Sequence, residues 1–305
     1  MTSEIQSFDD VVAIDIHVHI ELGPNGEDHL SPELRRAASR YFRGDSALPH
    51  ADDVADHYRE RRLMAVVFAV DSSLTTGQPR IPNSFVVEKA HEHADVLIPF
   101  ASIDPRRGKE GVAEAKDLLS DGAVRGLKFH PNLQMFHAND RLAYPLYELI
   151  EESGVVALFH TGHSGIGAGL PGGGGIRLKY GNPMAIDDVA VDFPEMSIVM
   201  AHPSFPWQDE ALSIAMHKPQ VSIDLSGWTP KRFPPSLVGA MSRSLKSQTL
   251  FGSDYPLITP DRWLQDFDGL EMGPDVRSAI LKENAARILG LGQSEAGMSR
   301  KLRAD

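Results

Sequence analysis

The segment 13–21, AIDIHVHIE, carries the densest chemistry in the chain. Alternate residues of a strand face the same side, so His17 and His19 point together with Asp15 behind them. Two imidazoles on one face make a bidentate clamp for a single ion, and imidazole suits zinc, iron, manganese or nickel. Two structural histidines bonded to loops would give the same pattern, and for an isolated His-x-His that plainer account is the better one. Further polar residues at the ends of other apolar runs reverse the judgement. His160, in LFHTGH, and His202, in IVMAHPS, each follow such a run. A lone histidine there usually caps a strand. Two on adjacent strands, facing a histidine pair and a carboxylate, read as a ligand and a catalytic or second ligand. Asp254, in LFGSDYP, ends the last run. A carboxylate beside the pair can bind the ion and also take a proton from activated water. Its reading as a helix N-cap or turn residue, suggested by Pro256 and Pro260, is the weaker one.

Other residues carry two readings each. Lys128 and His130 share a face of the run 124–129. Lys128 is either a lysine paired with a carboxylate or one carboxylated by CO₂ that bridges two metals. His163, three residues past His160, is expected to contact substrate or support the site from behind. Asp224 either orients a metal ligand through a hydrogen bond or is a turn carboxylate. The loop 165–175, GIGAGLPGGGG, lacks the Gly-Lys-Ser/Thr ending of a phosphate loop. It reads as a mobile lid or a plain surface loop, with Arg177 and Lys179 after it as partners for a substrate carboxylate. Trp207 and Trp228 follow the sixth and seventh runs and would wall an apolar pocket, although burial alone explains them equally well.

Positioning these groups is the task of eight short apolar runs, at 12–17, 64–70, 96–103, 124–129, 155–159, 197–201, 221–225 and 248–251. Amphipathic stretches between them predict helices over 51–62, 84–94, 109–120, 140–153, 183–192, 206–216 and 235–245. Two more close the chain at 260–268 and 274–290. Strands alternating with helices argue for a parallel sheet covered by helices. Eight repeats fit a closed (β/α)₈ TIM barrel; a doubly wound open sheet is the alternative. The strand ends discriminate. Five of the thirteen histidines lie at, or within two residues of, a predicted strand C-terminus. A barrel gathers those ends at one mouth, whereas an open sheet spreads them along a line.

Bulk properties narrow the function classes. The 305 residues are expected to form one barrel domain spanning 1–305, closed by the helices near 260–290. A formal net charge of −12 with no dense basic cluster argues against a nucleic-acid partner. The absence of cysteine excludes thiolate metal sites and cysteine nucleophiles. The segment 1–10 is polar and acidic, unlike a secretory signal, and no apolar run approaches the ~20 residues that cross a bilayer. The expectation is a cytoplasmic enzyme of small molecules, with a homo-oligomer left open.

Together these residues resemble the amidohydrolase superfamily, in particular its amidohydrolase-related branch of decarboxylases and lactone hydrolases. The resemblance runs through AIDIHVH, GLKFHPN, LFHTGH, MAHPS, FGSDYP and ENAARILGL, nearly the whole chain. It implies a (β/α)₈ barrel holding a divalent ion, most often Zn²⁺, with Mn²⁺ or Fe²⁺ as alternatives. It places the ligands on His17, His19, His160 and Asp254, and gives His202 the polarising or water-orienting role. HPSFPW departs from the branch's usual strand-6 continuation, and GLKFHP leaves a second metal open, so the substrate does not carry over. The leading expectation is metal-dependent hydrolysis of a small carboxylated, lactone or amide substrate. Non-oxidative decarboxylation of an aromatic or muconate-type acid comes second. A two-metal oxygenase using Lys128 or His130 is a further reading, and a non-enzymatic scaffold is disfavoured by the intact set.

Overall fold

The computed structural model describes residues 7–42 and 48–292, so the first six residues of the polar N-terminal segment lie outside it. Its eight strand positions are filled by nine segments: β1 (Ala13–His19), β2 (Leu63–Phe68), β3 (Leu97–Pro99), β4 (Ala101–Ser102), β5 (Gly126–Phe129), β6 (Val156–His160), β7 (Ser197–Ala201), β8 (Val221–Asp224) and β9 (Thr249–Leu250). The third apolar run divides into β3 and β4 because Pro99 has no N–H to give a ladder. The strand continues nonetheless: Phe100 N–H donates to Val67 O and Arg125 N–H to Pro99 O, both at 2.9 Å.

Every ladder is parallel, and the strands follow chain order, β1-β2-β3 and then β4 to β9. The last strand's continuation meets the first. Ile16 N–H donates to Phe251 O (3.0 Å), Asp254 N–H to His17 O (3.0 Å) and His19 N–H to Tyr255 O (2.8 Å), and Val18 bridges Tyr255 in parallel. A doubly wound sheet reverses its strand order at a switch point; this one does not, and the architecture is the (β/α)₈ barrel.

Side-chain alternation sorts the two faces. On β6, Phe159 faces outward, with its ring 5.6 Å from that of Tyr147 on the helix Tyr144–Ser153. Val156 and Leu158 face inward with Val66, Phe68 and Phe100. His160 continues that inner face at the strand's C-terminal end. The predicted helix 109–120 is observed as Lys109–Ser120. The predicted helix 274–290 is broken into Pro274–Ser278, a π turn at Ala279–Glu283 and Asn284–Leu289. Three described α-helices were not anticipated: the short Ser73–Thr76 and Pro131–Gln134, and Pro32–Phe42 in the long connection between β1 and β2. In the glycine loop, Gly172, Gly173 and Gly174 adopt φ of +60°, +64° and +61°, a left-handed run that only glycine enters at little cost. No described helix is long and apolar enough to cross a membrane.

Candidate metal centre and active site

The strand ends converge as a barrel requires. His17 and His19 come from β1 with their Nε2 atoms 3.2 Å apart. Asp254 is drawn in by the closing backbone bond to His17, and its Oδ1 lies 3.3 Å from His17 Nε2 and 3.1 Å from His19 Nε2. Tetrahedral zinc with bonds of ~2.0–2.1 Å separates its ligand atoms by about 3.3 Å, so this triangle of donors has the right edge. Lys128 from β5 adds Nζ at 3.1 Å from His17 Nε2.

Hydrogen bonds dictate which imidazole nitrogens keep lone pairs. Asp224, at the end of β8, sits with Oδ2 2.7 Å from His17 Nδ1. A carboxylate accepts, so His17 carries its proton on Nδ1 and turns the Nε2 lone pair toward the cluster. The Ser226 N–H holds the other Asp224 oxygen at 2.6 Å. His202 donates from Nδ1 to the Ser226 carbonyl (3.0 Å), which leaves its Nε2 to accept from His160 Nδ1 at 2.9 Å. His160 Nε2 therefore keeps a lone pair, and that buried atom has no partner among the described residues. An unpartnered buried acceptor is costly, and a metal ion is the partner such an atom suits. One ligand atom each from His17, His202 and Asp254 also lie within 4.8 Å of one another. His130 stacks on His160 with ring centroids 3.9 Å apart. The residues present thus fit a divalent ion.

Burial tunes the same groups. It pushes His17, His130 and His160 well below the usual imidazole range and His202 down to about 4, which keeps them neutral. Burial likewise lowers the Lys128 ammonium and raises the adjacent Asp224 carboxyl. For Asp254 burial alone would raise the carboxyl. The hydrogen bond from His19, with the electrostatic influence of the neighbouring basic side chains, outweighs it and holds Asp254 below its ordinary value.

The backbone is bent to serve this cluster. His202 and Asp254 have φ of +72° and +74°, rare for non-glycine residues and costly unless surrounding structure imposes them. A Cβ on Gly227 would stand 2.7 Å from His202 Nδ1 and 3.2 Å from Asp254 Oδ2. Only glycine lets the loop after β8 pass so close to both.

Above the cluster lies a cavity of about 320 Å³ whose floor is His17, His19, His130, His160, His202 and Asp254. His163 and Trp228 line it, and the helix Pro32–Phe42 contributes Arg35, Ala38, Tyr41 and Phe42. Lys128 and Asp224 are fully buried behind the histidines. Arg177 and Lys179 are exposed and line no part of the cavity; Arg177 offers its carbonyl to Asn132, and Lys179 lies over the Tyr180 ring. Trp207 is also absent from the lining. Sequence reasoning missed Ser226 and Gly227, although both lie within three residues of Asp224. It also missed Glu21, which faces His19 Nδ1 at 3.6 Å and is held ionised by Arg35 and His29 despite its burial. The spacing His19-x-Glu21, on one strand face, was a legible signal.

The chain belongs to the Amidohydrolase family, whose defining sequence pattern matches residues 14–291. Among solved structures it is similar to an uncharacterized TIM-barrel protein from Bordetella bronchiseptica, with 23% identity and a TM-score of 0.74 over 91% of this chain and 98% of that one. It is similar also to a dihydroxybenzoic acid decarboxylase from Polaromonas with bound manganese and 2-nitroresorcinol (14%, TM-score 0.63, 93% and 98%). A third is a probable 2-pyrone-4,6-dicarboxylic acid hydrolase from Acinetobacter baumannii with citric acid bound (16%, TM-score 0.59, 92% and 99%). No curated protein matches significantly.

Proposed function

We propose that the protein is a metal-dependent hydrolase of a small carboxylated, lactone or amide substrate. The observation that carries this reading is the convergence of His17, His19 and Asp254 donor atoms at 3.1–3.3 Å. These three, with His160, would hold one divalent ion, with zinc as the first choice on donor type and spacing and manganese or iron as alternatives. When bound, the ion supplies Lewis-acid polarisation of the substrate carbonyl and acidifies water toward pKa ~7. Asp254, ionised in the cluster, accepts the proton of the attacking water. The water oxygen bonds to the carbonyl carbon, the C–O or C–N bond breaks, and Asp254 returns the proton to the leaving atom. His202, anchored by the Ser226 carbonyl, would orient the reacting oxygen by exchanging the His160 hydrogen bond at its Nε2 for one from that oxygen.

A second reading is non-oxidative decarboxylation, favoured by the likeness to a decarboxylase fold with manganese. There the C–C bond to the departing CO₂ would break, and Asp254 would pass a proton taken up from water to the carbon left behind. Turnover of lactone and aromatic-acid panels in H₂¹⁸O and in D₂O separates the two. Solvent ¹⁸O in the product supports hydrolysis; solvent deuterium on carbon with release of CO₂ overturns it in favour of decarboxylation.

A further inference from the structure

The cavity is lined by three arginines, and they differ in how their charge is met. Arg35 is buried between Glu21 and Asp28, so its charge is spent inside the protein. Arg232 and Arg262 are exposed, and their guanidinium groups have no hydrogen bond or ion pair among the described residues. Nearby carboxylates do not serve them: Asp261 is taken by Arg61 at 2.8 Å, and Asp266 by Lys231 at 3.2 Å. Two unmatched guanidiniums on one cavity rim, in a chain of net charge −12, mark a place where a ligand's negative charge is favoured.

A second, independent observation comes from the lining of the same cavity. Thr229 lines the same cavity, is only 6% exposed, and its hydroxyl has no partner among the described residues. Thr229 and Arg232 belong to one tight turn, closed by the Arg232 N–H to Thr229 O bond at 2.9 Å. The adjoining wall is aromatic: Trp228 lines the cavity, and its ring lies 5.6 Å from that of Phe205. A planar guanidinium fork matches a carboxylate best, and an aromatic wall favours a flat ligand body.

We propose that Thr229, Arg232 and Arg262 form a carboxylate subsite, and that the substrate is a small flat diacid. One acidic group is held at this rim while the other end meets the histidine cluster. The proposal rests on the reading that chemistry occurs at that cluster. A volume of about 320 Å³ suits a single-ring acid.

Calorimetric titration of the purified, metal-assayed protein with benzene-1,3-dicarboxylate and with benzoate tests it. We expect the diacid to bind about tenfold tighter or better, as charge-assisted hydrogen bonds to a second carboxylate should provide. The double variant Arg232→Gln/Arg262→Gln should bring the two affinities to within about threefold, with metal content and benzoate binding retained. Equal affinities in the native protein, no measurable diacid binding, or a preference that survives in the double variant overturns the subsite. Displacement of the diacid by equimolar inorganic phosphate overturns its assignment to carboxylate. Loss of the metal centre with the diacid preference intact would fail the catalytic reading instead.

Discussion

At the residue scale, the hydrogen bonds of the imidazoles separate two histidines of the cavity floor. His19 offers Nε2 to the donor cluster, whereas His202 Nε2 is already occupied by the His160 N–H. His19→Ala should therefore lose bound metal and activity together. His202→Asn should keep metal near the native stoichiometry and lose turnover. Elemental analysis alongside activity assays checks both, and equal metal loss in the two variants would make His202 a ligand. Asp254→Asn keeps the size and one ligand oxygen but removes the proposed base. It should retain part of its metal and lose turnover by ~10² or more, within the usual range for a general base. Near-native turnover would remove Asp254 from proton transfer and leave His202 as the base.

At the element scale, the strand ends need bracing, because each loop at the barrel mouth is aimed by what lies beneath it. Asp71, three residues past β2, accepts from Arg107 Nε (2.5 Å), the Ser73 hydroxyl (2.9 Å) and the Asp104 N–H (3.1 Å), tying the connection after β2 to that after β4. Burial would raise its carboxyl, but the Arg107 bond and charge, with the other donors, win and hold it below the ordinary value. A depressed folded value stabilises the protein above the unfolded pKa, and that contribution is lost as pH falls through the folded one. Asp71→Asn should thus cost about 1–3 kcal/mol at pH 7. The deficit should shrink once the pH drops below ~4, the range of an unfolded aspartate. Urea denaturation at both pH values measures this, and an equal deficit at both would show that the charge of Asp71 is not what braces the loop.

At the scale of the whole molecule, the barrel is closed by the segment that carries Asp254, so an ion held there would stabilise the closure. An ion that binds only the folded chain adds about 4 kcal/mol when its free concentration is 1,000 times its Kd. Chelator-treated protein should unfold several degrees lower in a thermal scan, and re-addition of Zn²⁺ or Mn²⁺ should restore the Tm. A Tm unmoved by chelation and by re-addition would argue that no structural or catalytic ion is held there.

What the sequence determined by itself is what local periodicity encodes. His17 and His19 share a face because strands alternate, and eight apolar runs separated by amphipathic stretches specify parallel strands under helices. Polar residues at or just beyond the ends of six of those runs announce the barrel mouth. Tertiary structure alone decided the rest. The helix Pro32–Phe42 escaped notice because its buried face is mainly Leu34, Ala37 and Ala38 beside a buried Arg35, too small and too charged to stand out from a polar connection. The glycine loop carries Arg177 and Lys179 away from the cavity, while the turn after β8 and the helix Pro260–Asp268 after β9 bring Arg232 and Arg262 to its rim. A connection's direction depends on φ/ψ choices and on packing against distant segments, and periodicity records neither. The lone pairs of the site likewise depend on contacts remote in sequence: Asp224 orients His17 from 207 residues away, and His160 reaches His202 across 42. Only closure of the barrel brings those partners within a hydrogen bond of each other.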